Sequence, residues 1–272
     1  MPRTAVTLQE GSLSGHRDTV AAQIRRHPGD ADLRAQLFQL LAADAEWERA
    51  GEQLRLCAEL NPQAAPMALM YDRAMGAERR REAVLAGDMA EPFFPGPRPP
   101  WADMLLQALR QDATAPAESA ALRAAALEEA DAKAGVLHTG TSPAPQAFQW
   151  IGDGDSRLGP VFEFIAGEHY AWLPFSYVRA ARLLPPEGLC DLLWAQAEIT
   201  LADGRVLHGL IPARYPAGRG QRFADQADSV KLGRVTEWVP LHGDSYAGVG
   251  QKTWITDQGE HPLLDTRVLE HD

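Results

Sequence analysis

Up to about Asp131 the apolar positions of the chain recur at helical spacing, as in Leu33, Leu37, Leu40 and Leu41, or Trp47, Ala50, Leu54, Cys57 and Ala58. Prolines at 28, 62, 66 and 92 punctuate this region where helices should stop or begin. Further helices are predicted over Met67–Ala86, Trp101–Gln111 and Glu118–Ala130. Between them, Glu91 to Pro100 carries too many prolines for regular structure, while Pro99 and Pro100 suit the first turn of the helix that follows. Phe93 and Phe94 in that stretch either staple it to its own domain or dock a partner.

The helical half also has a period. Gly11 and Ala45, Leu13 and Trp47, Val20 and Leu54, Ile24 and Ala58, and Pro28 and Pro62 each lie 34 positions apart. That is the length of a tetratricopeptide repeat, a helix pair closed by a proline. Pro62 as the closing proline puts Ala50, Leu54 and Cys57 at small, bulky and small packing positions. The first copy is degenerate, with His16 where a small residue is expected. An irregular helical bundle with a chance period is the competing reading.

After the turn-rich segment His138–Pro145 the pattern changes to short β-favouring runs. Strands are predicted over Phe148–Ile151, Val161–Ile165, Tyr170–Leu173, Glu198–Leu201, Val206–Ile211, Lys252–Thr256 and Thr266–Leu269, with one helix around Tyr177–Leu184. Ala202-Asp203-Gly204-Arg205 and Asp257-Gln258-Gly259-Glu260 are hairpin signals, because glycine takes the positive φ such turns need. The expected fold class is α+β. An all-helical domain over residues 1–137, with degenerate tetratricopeptide-like helix pairs, precedes a mostly antiparallel α+β domain over 138–272.

Charge narrows the partners. The 272 residues carry 37 acids against 26 Lys and Arg, a net −11. Such a surface repels phosphate backbones and anionic headgroups, which argues against nucleic acid and membrane. The run Glu78-Arg79-Arg80-Arg81-Glu82 reads as a solvated helix face. Cys57 and Cys190 stand in separate apolar contexts, as buried thiols of a reducing compartment. Residues 1–10 lack the pattern of a signal peptide, and no apolar run reaches the length of a membrane span, so the expected location is cytoplasmic.

Trp150-Ile151-Gly152-Asp153-Gly154-Asp155-Ser156-Arg157-Leu158-Gly159-Pro160-Val161-Phe162-Glu163-Phe164 is the most chemically suggestive stretch. As a calcium loop counted from Asp153 it places Arg157 at position 5 and Phe164 at position 12, where acids or oxygen donors are needed. As a phosphate cradle it lacks a following helix. A polar turn fits better, with Asp153 and Asp155 accepting backbone N–H bonds and Arg157 pairing with one of them. Gly248-Val249-Gly250-Gln251-Lys252-Thr253 misses the P-loop pattern, since Gln251 precedes Lys252 and the flanks read as strand. Gly243-Asp244-Ser245 lacks a nucleophile elbow, and His208, in a strand, belongs to no ligand cluster.

Taken together, several motifs resemble a known family. They include Arg34-x-x-Leu37-Phe38-x-Leu40-Leu41, Glu46-Trp47-Glu48-Arg49-Ala50, Arg98-Pro99-Pro100-Trp101, Phe148-x-Trp150-Ile151 and Asp153-x-Asp155-Ser156-Arg157-Leu158-Gly159-Pro160-Val161-x-Glu163. Tyr170-x-Trp172-x-Pro174-Phe175, Ile211-Pro212-x-Arg214-Tyr215-Pro216, Thr236-x-Trp238 and Gly248-x-Gly250-Gln251 complete the set. On these the chain resembles the ImpE/TagJ family of bacterial type VI secretion accessory proteins, His16 being a departure from its usual small residue. The resemblance implies a helical, repeat-like domain followed by a family-specific α/β domain. It also implies a cytoplasmic, non-enzymatic factor without a cofactor, which binds the N-terminal helix of the small contractile-sheath subunit near the unfoldase ClpV. It carries over no contact residues. If the inner face of the repeat were used, Asp32, Ala35, Gln39 and Ala42 would line it, and the acidic surface would favour a ligand helix with a basic flank. The alternative is a metal- or nucleotide-dependent hydrolase acting through Asp153, Asp155 and Arg157 or through Gly248–Thr253.

Overall fold

The computed structural model describes residues 12–142, 144–218 and 220–272. The first eleven residues, with the Gly11–Ala45 pairing and the signal-peptide reading, lie outside them, as does Pro143 of the predicted linker. Helices α1 (Leu13–Arg26), α2 (Ala31–Ala43), α3 (Trp47–Leu60), α4 (Ala65–Leu85), α5 (Pro100–Gln111) and α6 (Pro116–Glu129) come first. The starts of α1 and α3, and those of α2 and α4, are each 34 residues apart, so the spacing of apolar positions is also a spacing of helices. Ser12 and Asp30 cap α1 and α2 by accepting backbone N–H bonds, and Pro100 opens α5. Among the described residues no helix is long and apolar enough to cross a membrane.

The strands are β1 (Gly135–Thr139), β2 (Gln146–Phe148), β3 (Ile151–Asp153), β4 (Val161–Ala166), β5 (His169–Pro174), β6 (Val178–Leu183), β7 (Trp194–Leu201), β8 (Val206–Pro212), β9 (Thr236–Pro240), β10 (Tyr246–Gly250), β11 (Thr253–Thr256), β12 (Gly259–Pro262) and β13 (Thr266–His271). An eight-stranded sheet runs β2-β1-β13-β6-β7-β8-β4-β5, antiparallel throughout, beside a β12-β11-β3 sheet and a β9–β10 hairpin. Both predicted glycine hairpins form, with Gly204 and Gly259 at positive φ.

Two expectations are corrected. The segment predicted as a helix around Tyr177–Leu184 is strand β6, paired on both sides. A register shift between Val178 and Ala180 brings Val178 and Ala181, three apart, onto one buried face, and that spacing imitates a helix. Phe148–Ile151, predicted as one strand, is the end of β2 and the start of β3, which belong to different sheets. The break lies at Gln149, whose N–H donates to Asp257.

The main sheet packs against other elements on both faces, with part of its helix-facing side over β6, β7 and β8 left open. Phe162, Phe164, Ala197 and Ile199 point towards Trp254 of the small sheet. Val161, Ile165, Tyr170, Trp172, Trp194 and Leu210 point the other way, into one apolar cluster with Leu41, Trp47, Leu54 and Met75 of the helices. Alternation along each strand produces the two faces. Rings of Phe38, Tyr71, Trp194 and Trp47 form a continuous row at centroid spacings of 5.4, 5.6 and 6.0 Å, tying α2, α3 and α4 to β7. The proline-rich loop closes the exposed edge of β5. Phe93 exchanges backbone hydrogen bonds with Tyr170 and Trp172, and Phe94 packs edge-on to Trp172.

Candidate partner-binding cleft

The acidic turn between β3 and β4 is buried. Asp155 donates its N–H to Asp153 Oδ1 at 3.0 Å, and Arg157 donates its own to Asp155 Oδ1 at 2.9 Å. The Arg157 guanidinium then chelates Asp155, and Gly248 N–H donates to Asp155 Oδ2 at 2.9 Å. Burial alone would raise the Asp155 carboxyl, but Arg157 and these donors hold it below its usual range. Asp153 receives Lys252 Nζ and the Tyr215 hydroxyl, the latter at 2.8 Å. These carboxylates are already committed, which leaves little for a cation or a substrate to engage. Among the described residues no group of three or more His, Cys, Asp or Glu could hold a metal ion.

The charges continue from this turn to the helices. Arg81 of α4 grips Glu163 of β4 through Nε and Nη2, at 2.7 and 2.9 Å, and donates to Glu78 and to the Arg214 carbonyl. Glu163 also takes Lys252 and the Tyr170 hydroxyl, and Glu78 takes Trp194 Nε1 at 3.0 Å. Arg214 reaches the carbonyls of Ala42, Ala43 and Lys231. Four acids, Glu78, Asp153, Asp155 and Glu163, thus stand with four bases, Arg81, Arg157, Arg214 and Lys252, all buried between helices and sheet. This corrects the reading of residues 78–82 as a solvated face. Arg79 and Arg80 are exposed, whereas Glu78 and Arg81 lie on the buried stripe with Ala74, Ala77 and Val84.

Glu82 lies beside this network and accepts from Trp47 Nε1 at 2.8 Å. Burial, with Glu78 adding to it, pushes its carboxyl up to about 7 from 4.5, against the Trp47 hydrogen bond. Below pH 4.5 the folded and unfolded forms are both protonated. As pH rises from 4.5 to 7 the unfolded form releases its proton first, so stability falls, and above 7 the penalty is constant. Glu82→Gln stays neutral and keeps an acceptor for Trp47, so it is expected to stabilise the protein at pH 8 by up to roughly 3 kcal/mol. Urea titrations at pH 5 and pH 8 measure this; an equal effect at both would show that the carboxyl does not titrate there.

The remaining candidates have structural places. The Gly248–Thr253 run spans the end of β10 and the start of β11, with no helix after it. Gly243-Asp244-Ser245 belongs to the connection between β9 and β10. Cys57 and Cys190 are buried, and burial pushes the Cys190 thiol up to about 12. His208 is exposed on β8, with Nδ1 3.8 Å from Glu198.

The surface expected from the repeat's inner face is half closed: Asp32 is exposed and Gln39 partly buried, while its two alanines are covered. Ala35 and Ala42 are buried, and the carbonyls of Ala42 and Ala43 are bound by Arg214 from the strand-rich half, which occupies this side of α2. A concave surface lies elsewhere, in a cleft of about 690 Å³ between the N-terminal half of α4 and the helix-facing side of β6, β7, β8 and β4. One wall carries Pro66, Leu69, Met70 and Arg73, and the floor includes Leu184, Gln196, Glu198, His208 and Leu210. Leu69 is 53% and Leu184 61% exposed. A second hollow of about 350 Å³ shares Arg182 and Glu198 with the first and extends the open face past Arg179. No sequence motif marks this cleft; the only local signal is apolar Leu69 and Met70 on the outer side of an amphipathic helix.

Three likenesses bear on this arrangement. The family model described as ImpE protein matches residues 145–270, most of the strand-rich half. The type VI secretion system accessory component TagJ of Pseudomonas aeruginosa is 40% identical over 266 residues, which cover 97% of this chain and 89% of that protein. The crystal structure of protein VPA1032 from Vibrio parahaemolyticus matches with a TM-score of 0.82 over 96% of this chain and 94% of that one, at 22% identity, a likeness of fold.

Proposed function

Since the chain belongs to the ImpE/TagJ family, we propose that it is a non-enzymatic accessory protein of bacterial type VI secretion that binds the N-terminal helix of the small contractile-sheath subunit in the cytoplasm, near the unfoldase ClpV. The observation that carries this reading is the 40% identity to TagJ, a type VI secretion accessory component, over both the helical and the strand-rich halves. The geometry supports a binding role. The residues a hydrolase would use, Asp153, Asp155 and Arg157, are bound to one another and to Gly248, Tyr215 and Lys252. A partly apolar cleft stays open on the surface, the kind of groove that takes an amphipathic helix.

A synthetic peptide matching the first helix of the small sheath subunit is expected to bind one-to-one, with a Kd on the order of 1–10 µM, since a peptide that folds on docking loses ordering entropy. Isothermal calorimetry reads it directly. Heats no larger than dilution at roughly 100 µM peptide, about −5.5 kcal/mol on the affinity scale, would remove the sheath helix as the partner.

A further inference from the structure

The cleft beside α4 differs from the rest of this acidic protein in charge as well as in exposure. We propose that it seats the apolar stripe of an amphipathic helix whose stripe is bordered by acidic residues; this rests on the reading of the chain as a helix-binding accessory protein and adds the place and the chemistry of the contact.

Shape comes first. Pro66, Leu69, Met70 and Arg73 fall at i, i+3, i+4 and i+7 of α4, one helical face, and they are exposed, while Ala68, Ala74 and Met75 turn into the core. The same long helix therefore buries one face and leaves a second, apolar one beside the sheet. Elsewhere the helix-facing side of the sheet is covered, as Trp172 and Trp194 show. Over β6, β7 and β8 the cover is missing, and Gln196, Glu198 and His208 look into the gap between Leu184 and Leu210. One more helix lying along α4 would complete the layer. A β-strand would not, because the gap is over a sheet face, not an edge, and the nearby edge at β5 is closed by Phe93.

Charge then selects the occupant. The protein carries a net −11. Yet Arg73 and Arg182 border the cleft, Arg179 borders its extension, and none of the three makes a hydrogen bond or ion pair among the described residues. Glu198 is the one acid lining the main cleft and Glu270 the one added by its extension, so the three arginines outnumber the acids. A guanidinium without a partner favours a carboxylate from outside, whereas a basic helix would meet repulsion at this rim. The local field thus reverses the expectation of a basic flank drawn from the net charge.

The test uses the full chain and the first-helix peptide of the small sheath subunit in calorimetry at low salt. Leu69→Asp places a charge on the apolar wall and is expected to weaken binding at least about tenfold. Arg73→Glu with Arg182→Glu is expected to weaken it by a similar factor, and a peptide with its acids changed to lysine should bind this double variant better than the wild type does. Leu127→Asp, at a comparably exposed leucine of α6 (62%), should leave binding unchanged. Because Leu69, Arg73 and Arg182 are exposed, circular dichroism melting should match the wild type. A wild-type chain that ignores the peptide sinks the functional reading itself. A wild type that binds while all cleft variants bind equally well overturns the placement. Equal binding of the charge-reversed peptide to wild type and double variant overturns the acidic chemistry. A change of molar mass in light scattering with Leu69→Asp would make the cleft a contact between copies of this chain and would overturn the proposal too.

Discussion

Lys252→Met is expected to destabilise the protein by about 3–5 kcal/mol at pH 7, as removal of one member of a buried ion pair does. For a chain of this size that is a fall in Tm of roughly 5–9 °C. The Lys252 side chain is 1% exposed and bonds both Asp153 and Glu163, with Nζ 4.7 Å above the Tyr215 ring. Methionine keeps the length and most of the packing, so the loss reports on the charge. It leaves two buried carboxylates with Arg81 as the remaining nearby cation on Glu163. Burial alone would lift the Glu163 carboxyl, but Arg81 and Lys252 together hold it well below the usual range. Its folded-state pKa being depressed, the stabilisation it carries is present above about pH 4.5 and is lost as pH falls through the lower folded value. The Glu163 part of the Lys252→Met deficit should therefore be present at pH 7 and be lost at acid pH, whereas Asp153, whose carboxyl burial holds above its usual range even beside Lys252, takes up its proton at higher pH and contributes less. Adding Asp153→Asn removes one of the stranded charges, so the double variant should be about 1–3 kcal/mol more stable than the sum of the single effects predicts. Denaturant titrations of the four proteins give this cycle. A single-variant loss below about 1 kcal/mol would mean that the ion pair barely exceeds its own desolvation.

How far this network is legible in the sequence depends on the reach of each contact. The acidic turn is legible because its bonds are local: Asp153 and Asp155 each accept from the residue two positions on, a pattern polar turns share. Arg81 and Glu78 are obscured by the charged run around them, although their spacing from Ala74, Ala77 and Val84 marks the buried stripe. Glu163 interrupts an otherwise apolar run from Val161 to Ile165, which is a signal that a buried partner must exist but not which one. Lys252 is 99 residues from Asp153 in sequence, and nothing local names that partner. The helical and strand-rich halves are visible from periodicity, since periodicity reports burial of one face. Strand β6 is hidden where a bulge breaks that periodicity. The cleft is illegible for a different reason. It is a stretch of sheet that no helix covers, and missing cover leaves no pattern in the residues beneath it.

Gly248→Ala is expected to cost about 2–4 kcal/mol, although it adds a single methyl group on a strand that sequence alone could take for part of a nucleotide loop. The methyl would point into the Tyr215 ring, far inside van der Waals contact. Tyr215 is 1% exposed and cannot swing away freely. Its hydroxyl engages Asp153 and receives the Thr253 N–H at 3.1 Å, and its ring lies 6.0 Å from that of Trp238. Relief of the overlap must shift either the ring, weakening its bond to Asp153, or β10, drawing the Gly248 N–H away from Asp155. Both routes reach the buried carboxylates, so the loss exceeds ordinary overpacking. Gly29→Ala is the matched control, because no atom lies within 4 Å of the place its methyl would take and the residue has no positive φ. Its effect should stay within about 0.5 kcal/mol. Thermal melts of the two variants and the wild type compare them directly, and equal stability of all three would show that Tyr215 yields to the methyl without disturbing the network. A clear loss in Gly248→Ala would instead mean that this glycine is needed for close approach of the backbone to an aromatic ring, which is reason enough for glycine there without any phosphate to bind.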